Sequence, residues 1–322
     1  MCPGAFRAYP KIDGLRRSNM DKSHDMEGLG PFEARYLAFL ETITQLRPRL
    51  HRYCSRMTGS VLDGEDIVQE ALFQAYRKLD TFDETRPLSA WVFRIAHNRC
   101  IDFLRRRKVR EGAEAAATGA ESVMPVDPPD PALGRAVEKV VLTLPPKERA
   151  CVLLKDVFDY TLEEIAELVD STVGGVKAAL NRGRSKLKAL PDQKTSPHRT
   201  NPEVSKLLQL YIERFNRRDW DGLRELISDD ARLQVADKFL GRLADSPYFG
   251  NYARWTMPWR MAEGEVDGEP VVIVLDGETG QAKGVVRLDL AAGNITRISD
   301  YLHCPWILET ATSVVIDQPR YN

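Results

Sequence analysis

The stretch LPPKERACVLLKDVFDYTLEEIAELVDSTVGGVKAALNRGRSKLKAL, residues 144–190, decides how this chain is read. Pro145 and Pro146 open a helix, because proline is tolerated at the first helical position. Thr161 stands three residues before Glu164, the spacing of a capping box ahead of the short helix TLEEIAELV. DST then leads into a longer helix in which Val176, Leu180 and Leu187 recur at helical spacing, while Lys177, Asn181, Arg182 and Arg184 fall on the other side. Two helices at a short turn make a helix-turn-helix. The second carries Lys177, Arg182, Arg184, Lys186 and Lys188 with no acid from 174 to 190. A helix that enters a DNA groove needs this alternation, apolar where it packs and donor-rich where it meets base edges and phosphates. A solvated basic helix is the plainer alternative, but the capping box, the linker upstream and the acid-free stretch agree on DNA.

Upstream, from about 33 to 107, the pattern is again helical. FEARYLAFLETITQLRPRLHRYCSRM places Phe32, Tyr36, Phe39, Leu40 and Ile43 at three- and four-residue spacing, and DGEDIVQEALFQAYRKL does the same with Ile67, Ala71, Leu72, Ala75 and Leu79. Pro87 closes the loop DTFDETRPLS, and AWVFRIAHNRCIDFLRRRK resumes with Trp91, Ile95 and Phe103 beside a basic flank. That flank holds Arg94, Arg99, Arg105, Arg106, Arg107, Lys108 and Arg110 against Asp102 alone. Cations at a helix C-terminus are favoured by the dipole, so helix termination and nucleic-acid contact both fit. Phe82, Trp91 and Phe93 lie beside or within the segment, where aromatic faces would stack on unpaired bases; Trp91 alone reads rather as core.

Composition shifts mark the boundaries. Residues 1–30 read as a disordered tail without an apolar signal-peptide core, 31–107 as a first helical domain, and 108–130, ending in PVDPPDP, as a linker. Residues 131–190 form the helix-turn-helix domain, and PDQKTSPHRT, 191–200, is a second linker. From 201 to 322 two helices feed a strand, and three further strands are joined at DGETG and AAGN, which argues for an α+β domain after two all-α domains.

The whole chain of 322 residues carries 46 basic and 47 acidic side chains, a formal net charge of −1. That balance hides segregation: residues 201–322 hold 14 Lys and Arg against 19 Asp and Glu, leaving 32 against 28 before them. Five scattered cysteines without CxxC spacing argue against disulfides or a zinc site and for a reducing cytoplasm. No apolar run approaches a membrane span, no P-loop is present, and no cofactor or metal is expected.

The three segments DGEDIVQEALFQAYRKL, FDETRPLSAWVFRIAHNRCIDFLRRRK and the 144–190 stretch, in that order, resemble regions two and four of bacterial RNA polymerase sigma factors of the extracytoplasmic-function group. The resemblance implies that the helix at 63–79, with Asp63, Asp66, Gln69 and Glu70 on its polar face, docks on the clamp helices of core RNA polymerase; charge alone would leave that face merely solvated. It implies that the loop at 81–88 and the helix with Arg94, Asn98, Arg99, Arg105 and Arg106 read and open the minus-ten element around a flipped base. The helix at 173–190, with Thr172 at its start and Lys177, Asn181, Arg182 and Arg184 along it, would enter the major groove of the minus-thirty-five element. Ala178, Ala179 and Gly183 depart from the longer side chains common in the family, so shape and phosphate contacts would carry more of the specificity.

Residues 201–317 resemble the SnoaL-like, nuclear-transport-factor-two-like cone fold, on the helix motif YIERFNRRDWDGLRELISDDARL and the strands after it. Such a cone implies an apolar pocket that Tyr248, Trp255, Trp259, Tyr301 and Trp306 would line, though the same aromatics read equally as core. Asp300 and His303 are the acid/base pair of an enzymatic relative or simply polar residues near Pro305. The leading reading is a transcription initiation factor whose fused domain regulates it, by intramolecular contact with the sigma domains or by sensing a small molecule. The alternatives are a SnoaL-like cyclase or isomerase with DNA-binding helices for targeting, and a plain helix-turn-helix repressor that leaves 63–107 unexplained.

Overall fold

The computed structural model describes residues 31–118, 143–189, 202–236, 238–291 and 293–317. The chain divides near residue 199 into two compact units. The expected tail at 1–30, most of the first linker and all of the second lie outside the described residues.

The first unit is helical. α1 (Pro31–Thr58) and α2 (Val61–Arg77) meet at a tight corner where Ser60 caps α2 by accepting from the Asp63 amide at 3.2 Å. Gly64 makes the corner possible, since a Cβ there would lie 2.6 Å from the Ser55 backbone nitrogen. Glu65 of α2 is fully buried and pairs with Arg47 of α1, fixing the register of the two helices. α3 (Leu88–Thr118) starts directly after Pro87 and runs into the stretch read as linker. The extension follows from composition: VREGAEAAAT is rich in Ala, Glu and Arg, which favour the helix, and holds one Gly and no Pro.

α4 (Pro146–Val152) begins on Pro146 and continues through a wider turn at Leu153–Val157; α5 (Leu162–Leu168) and α6 (Val173–Ala189) complete the helix-turn-helix. The capping box forms as the spacing predicts, with Thr161 accepting from the Glu164 amide and Glu164 accepting from the Thr161 amide. α1 to α3 and α4 to α6 share one apolar core, with Tyr53 and Phe93 meeting Phe158 and Tyr160 across the seam. Polar contacts close it. Arg149 of α4 donates to the carbonyls of Met57 and Leu144, and Arg107 of α3 donates to Thr58 at 3.1 Å, so two guanidiniums cover the C-terminal carbonyls of α1. Arg49 donates to the Phe158 carbonyl and lies 4.6 Å over the Tyr160 ring.

The second unit is α+β. α7 (Pro202–Asn216) and α8 (Trp220–Glu225, capped by Asp219) precede β1 (Ile227–Val235) and β2 (Phe239–Arg242). After α9 (Tyr248–Ala253) come β3 (Trp259–Val266), β4 (Glu269–Asp276), β5 (Ala282–Ala291) and β6 (Asn294–Asp300), then α10 (Trp306–Thr310) and β7 (Val314–Ile316). The strands form one sheet in the order β2-β1-β6-β5-β4-β3-β7, antiparallel throughout except β1 against β6. Tyr211, Phe215, Phe249 and Tyr252 pack with Val272, Val274 and Val286 in its core. β4 is buried on both faces, from Val271 to Leu275. On β5, Gly284 lets the segment after β6 lie close, since a Cβ there would stand 2.6 Å from the Leu302 Cα. The strands at PVVIV, VVRLDL and ITRIS are those the sequence predicts, while β2, β3, β7, α9 and α10 are additions, most of them too short or too irregular for periodicity to reveal.

Candidate nucleic-acid interface

α6 presents two faces. Val176, Ala179, Leu180 and Gly183 are buried against α4 and α5, while Thr172, Lys177, Ala178, Asn181, Arg182 and Arg184 are exposed. This corrects one sequence expectation: Ala179 and Gly183 are small because they pack, not because base contacts were given up. A Cβ on Gly183 would lie 2.9 Å from Val152 Cγ2 and 3.6 Å from the Glu148 carbonyl oxygen. Ala178 alone of the three faces solvent. Thr172 serves as the cap of α6, its hydroxyl accepting from the Gly175 amide at 3.0 Å.

The cations of α6 are not equivalent. Lys177 and Lys188 have no acidic partner among the described residues, whereas Arg184 is held by Asp156 through two hydrogen bonds of 2.5 and 3.1 Å. Arg182 and Lys186 both reach Glu148 of α4, at 3.0 and 2.8 Å. Lys186, and then Arg182, hold the Glu148 carboxyl below the usual carboxylate range against the opposing effect of burial.

α3 divides in the same way. Asn98 and Arg106 are exposed, and Arg105 is exposed with Asp102 2.9 Å away. Arg99 is half-buried and donates to Gln74 of α2 at 2.8 Å, which ties the two helices together. Arg94 lies 3.4 Å from Asp170 in the turn before α6. Of the candidates read from the sequence on this helix, Asn98, Arg105 and Arg106 are therefore the exposed ones, Arg105 with Asp102 beside it, and Lys108 further along is exposed as well. Of the three aromatics, Phe93 is core, 4.7 Å from Tyr53, and so is withdrawn from any base-stacking role. Phe82 and Trp91 are half-buried and pack on each other in a tilted arrangement, ring centroids 4.8 Å apart, at the edge of the loop that precedes α3. That loop is held by Asp83, which accepts from the Thr85 amide and hydroxyl, and by Glu84, which accepts from Arg35 at 2.6 Å.

The exposed face of α2 carries Glu70, with Asp63, Asp66 and Gln69 half-buried beside it and Gln69 donating to Glu65 at 3.1 Å. The same face continues into two residues the sequence reading passed over, Phe73 and Tyr76, which remain 42% and 37% exposed. Their spacing of three and six from Glu70 was the available signal, masked because aromatics on an amphipathic helix usually read as core. Arg77 lies over Phe73 at 5.8 Å and Tyr36 packs edge-on to Tyr76 at 5.7 Å.

In the α+β unit the aromatic candidates separate. Tyr248 and Trp259 are buried, and Tyr252 links them to Trp255, which stacks on Trp259 at 6.4 Å and is 37% exposed. Tyr301 is buried and Trp306 half-buried beyond β6. Asp300 is fully buried: one carboxylate oxygen accepts from Tyr248 at 2.9 Å and Tyr252 at 2.7 Å, the other from the Leu302 amide at 2.8 Å. Burial pushes its carboxyl up. His303 is exposed, so the two members of the expected acid/base pair sit in opposite environments. Among the described residues no cluster of His, Cys, Asp and Glu is arranged to hold a metal ion, and no helix is long and apolar enough to cross a membrane.

Comparison with known proteins follows this geometry. The family profile described as Sigma-70 region 2 matches residues 42–110, and that described as Sigma-70, region 4 matches residues 134–187. The ECF RNA polymerase sigma factor SigW of Bacillus subtilis (strain 168) is 34% identical over 163 residues, covering 47% of this chain and 87% of that protein. The ECF RNA polymerase sigma factor SigG of Mycobacterium tuberculosis (strain ATCC 25618 / H37Rv) is 30% identical over 261 residues, 71% of this chain and 70% of that protein. That share is larger than residues 1–200 occupy, so the similarity extends into the α+β unit. The crystal structure of the M. tuberculosis extracytoplasmic function sigma factor SigJ is similar over 85% of this chain and 99% of that chain, with a TM-score of 0.34 and 19% identity.

Proposed function

The chain belongs to the extracytoplasmic-function RNA polymerase sigma factors, and from that premise we propose how its surfaces divide the work of initiation. The exposed face of α2, with Asp66, Glu70, Phe73 and Tyr76, docks on core RNA polymerase; the two aromatics give the polar face the apolar contact area that a stable interface needs. The loop before α3, with Phe82 and Trp91 at its edge and Asn98, Arg105 and Arg106 along the helix, engages the minus-ten element as single strand. α6 enters the major groove of the minus-thirty-five element with Lys177 and Asn181 foremost. The observation that carries this reading is α6 itself, a helix capped by Thr172 and seated on α4 through Gly183, so that Val176, Ala179, Leu180 and Gly183 are packed while Lys177, Asn181, Arg182 and Arg184 are exposed.

The α+β unit regulates this activity without chemistry of its own. Asp300 is fully buried with both carboxylate oxygens engaged by Tyr248, Tyr252 and Leu302, and this supports a structural role for it. Run-off transcription with core polymerase on a library of random-sequence promoter fragments tests the reading. The full chain is expected to direct initiation from a defined subset of templates. If neither the full chain nor a chain ending at residue 200 does so, the sigma reading fails; equal activity of the two removes the regulatory role alone.

A further inference from the structure

By charge alone α6 offers five cations to DNA, but the structure commits two of them elsewhere. Glu148 projects from α4 with its side chain only 8% exposed, and its two carboxylate oxygens are taken by Arg182 and Lys186. This is possible because Gly183 lets the backbone of α6 lie directly on α4, with Val152 and Glu148 as its nearest neighbours. Arg182 and Lys186 are four residues apart, so both emerge on the flank of α6 that Glu148 faces.

We infer that Glu148 is a positioning residue for promoter recognition, which clamps Arg182 and Lys186 to the body of the helix-turn-helix and withholds them from DNA phosphate. The inference rests on the sigma reading above and deepens it. A carboxylate buried this far is costly to leave unpaired, so its partners do not exchange readily for phosphate oxygens. The Arg184–Asp156 pair differs in its acid: all three cations are about half exposed, but the Asp156 side chain is 36% exposed against 8% for Glu148, and a pair on a solvated carboxylate is weak enough to open when a phosphate arrives. α6 thus holds three grades of cation: Lys177 and Lys188 available, Arg184 exchangeable, Arg182 and Lys186 withheld. Fewer phosphate contacts lower the sequence-independent part of the affinity, which leaves the base contacts of Lys177 and Asn181 a larger share of discrimination. The clamp also fixes the rotation of α6 about its own axis, which decides which side chains face the base edges.

The salt dependence of promoter binding separates this role from a merely structural one. Holoenzyme assembled from core polymerase and the full chain is measured on the strongest template recovered by run-off. Glu148→Gln keeps the shape of the side chain while removing its charge, and the released cations should steepen the slope of log affinity against log salt by up to about 1.8, since each phosphate contact contributes about 0.9. The variant should then lose about tenfold more affinity than the parent between about 50 and about 200 mM salt. Lys186→Met, at an exposed position where folding is not at risk, should leave the slope of the parent unchanged but lower that of Glu148→Gln by about 0.9. A parent slope that falls by about 0.9 on Lys186→Met shows that Lys186 already contacts phosphate and overturns the inference. An unchanged slope for a folded Glu148→Gln does the same. Failure of the full chain to direct initiation from any template overturns the sigma reading and this inference with it.

Discussion

Glu65, His97, Glu148 and Asp300 are buried ionisable side chains, and each has a specific answer to its burial. Glu65 is paired with Arg47, Glu148 with Arg182 and Lys186, and Asp300 with two tyrosine hydroxyls and an amide. His97 answers by staying neutral: burial pushes it down to about 4, with the Tyr53 hydroxyl 2.7 Å from Nδ1. An unfolded chain binds a proton at this histidine below about 6.5 while the native one does not until about 4, so acid favours unfolding throughout that window. The helical unit should therefore lose roughly 3 kcal/mol of stability on this account between neutrality and pH 4. His51, also pushed down by burial, acts in the same direction. Urea midpoints of the parent at pH 7 and pH 5 should differ, and His97→Gln should shrink the difference; an equal difference in both proteins would assign the acid sensitivity elsewhere. None of these burials could be read from the sequence, because a charged residue in an amphipathic helix looks solvated until its neighbour across the fold is known. Gly183 is the clearest case. Its smallness looked like a missing contact to DNA, yet Gly183→Ala would push a Cβ to 2.9 Å from the stiff, buried Val152. Overpacking of about 1–3 kcal/mol should outweigh the helix propensity gain of about 1 kcal/mol, so thermal unfolding should show a net loss of stability.

At the scale of elements, what the sequence reveals depends on period and punctuation. The helix-turn-helix was legible in its elements because proline, a capping box and a 3.6-residue repeat all spoke for it, though not the wider turn at Leu153–Val157, and the three long strands of the α+β unit were legible by their apolar runs. The seam between α1–α3 and α4–α6 was not, because it is made by backbone carbonyls and by side chains from helices about 100 residues apart, such as Met57 and Arg149. Arg149 is largely buried, which together with nearby Arg107 pulls its guanidinium down to about 10. Arg149→Met should fill the same space but leave the Met57 and Leu144 carbonyls without their donor. Hydrogen bonds to charged groups contribute about 1.5–3 kcal/mol, and a loss in that range is expected in urea unfolding of the helical unit. A variant as stable as the parent would show that apolar packing alone joins the two sets of helices.

Across the whole molecule, near neutrality conceals a helical part with a basic excess and an appended α+β part with an acidic one. The segregation was visible by counting, but counting overstated what α6 presents to DNA, since three of its five cations already have acidic partners. The central claim is a division of labour, with α3 at the minus-ten element and α6 at the minus-thirty-five element. Site-specific photo-crosslinking from polymerase-bound chain tests it most directly, with the reactive group placed at Asn98 on α3 or at Ala178 on α6, both exposed. The account predicts crosslinks to two separate segments of the same promoter, about 25 base pairs or roughly 85 Å apart at 3.4 Å per pair, with the Ala178 site upstream. Crosslinks from both positions to one segment, or the Ala178 site lying downstream, would contradict it.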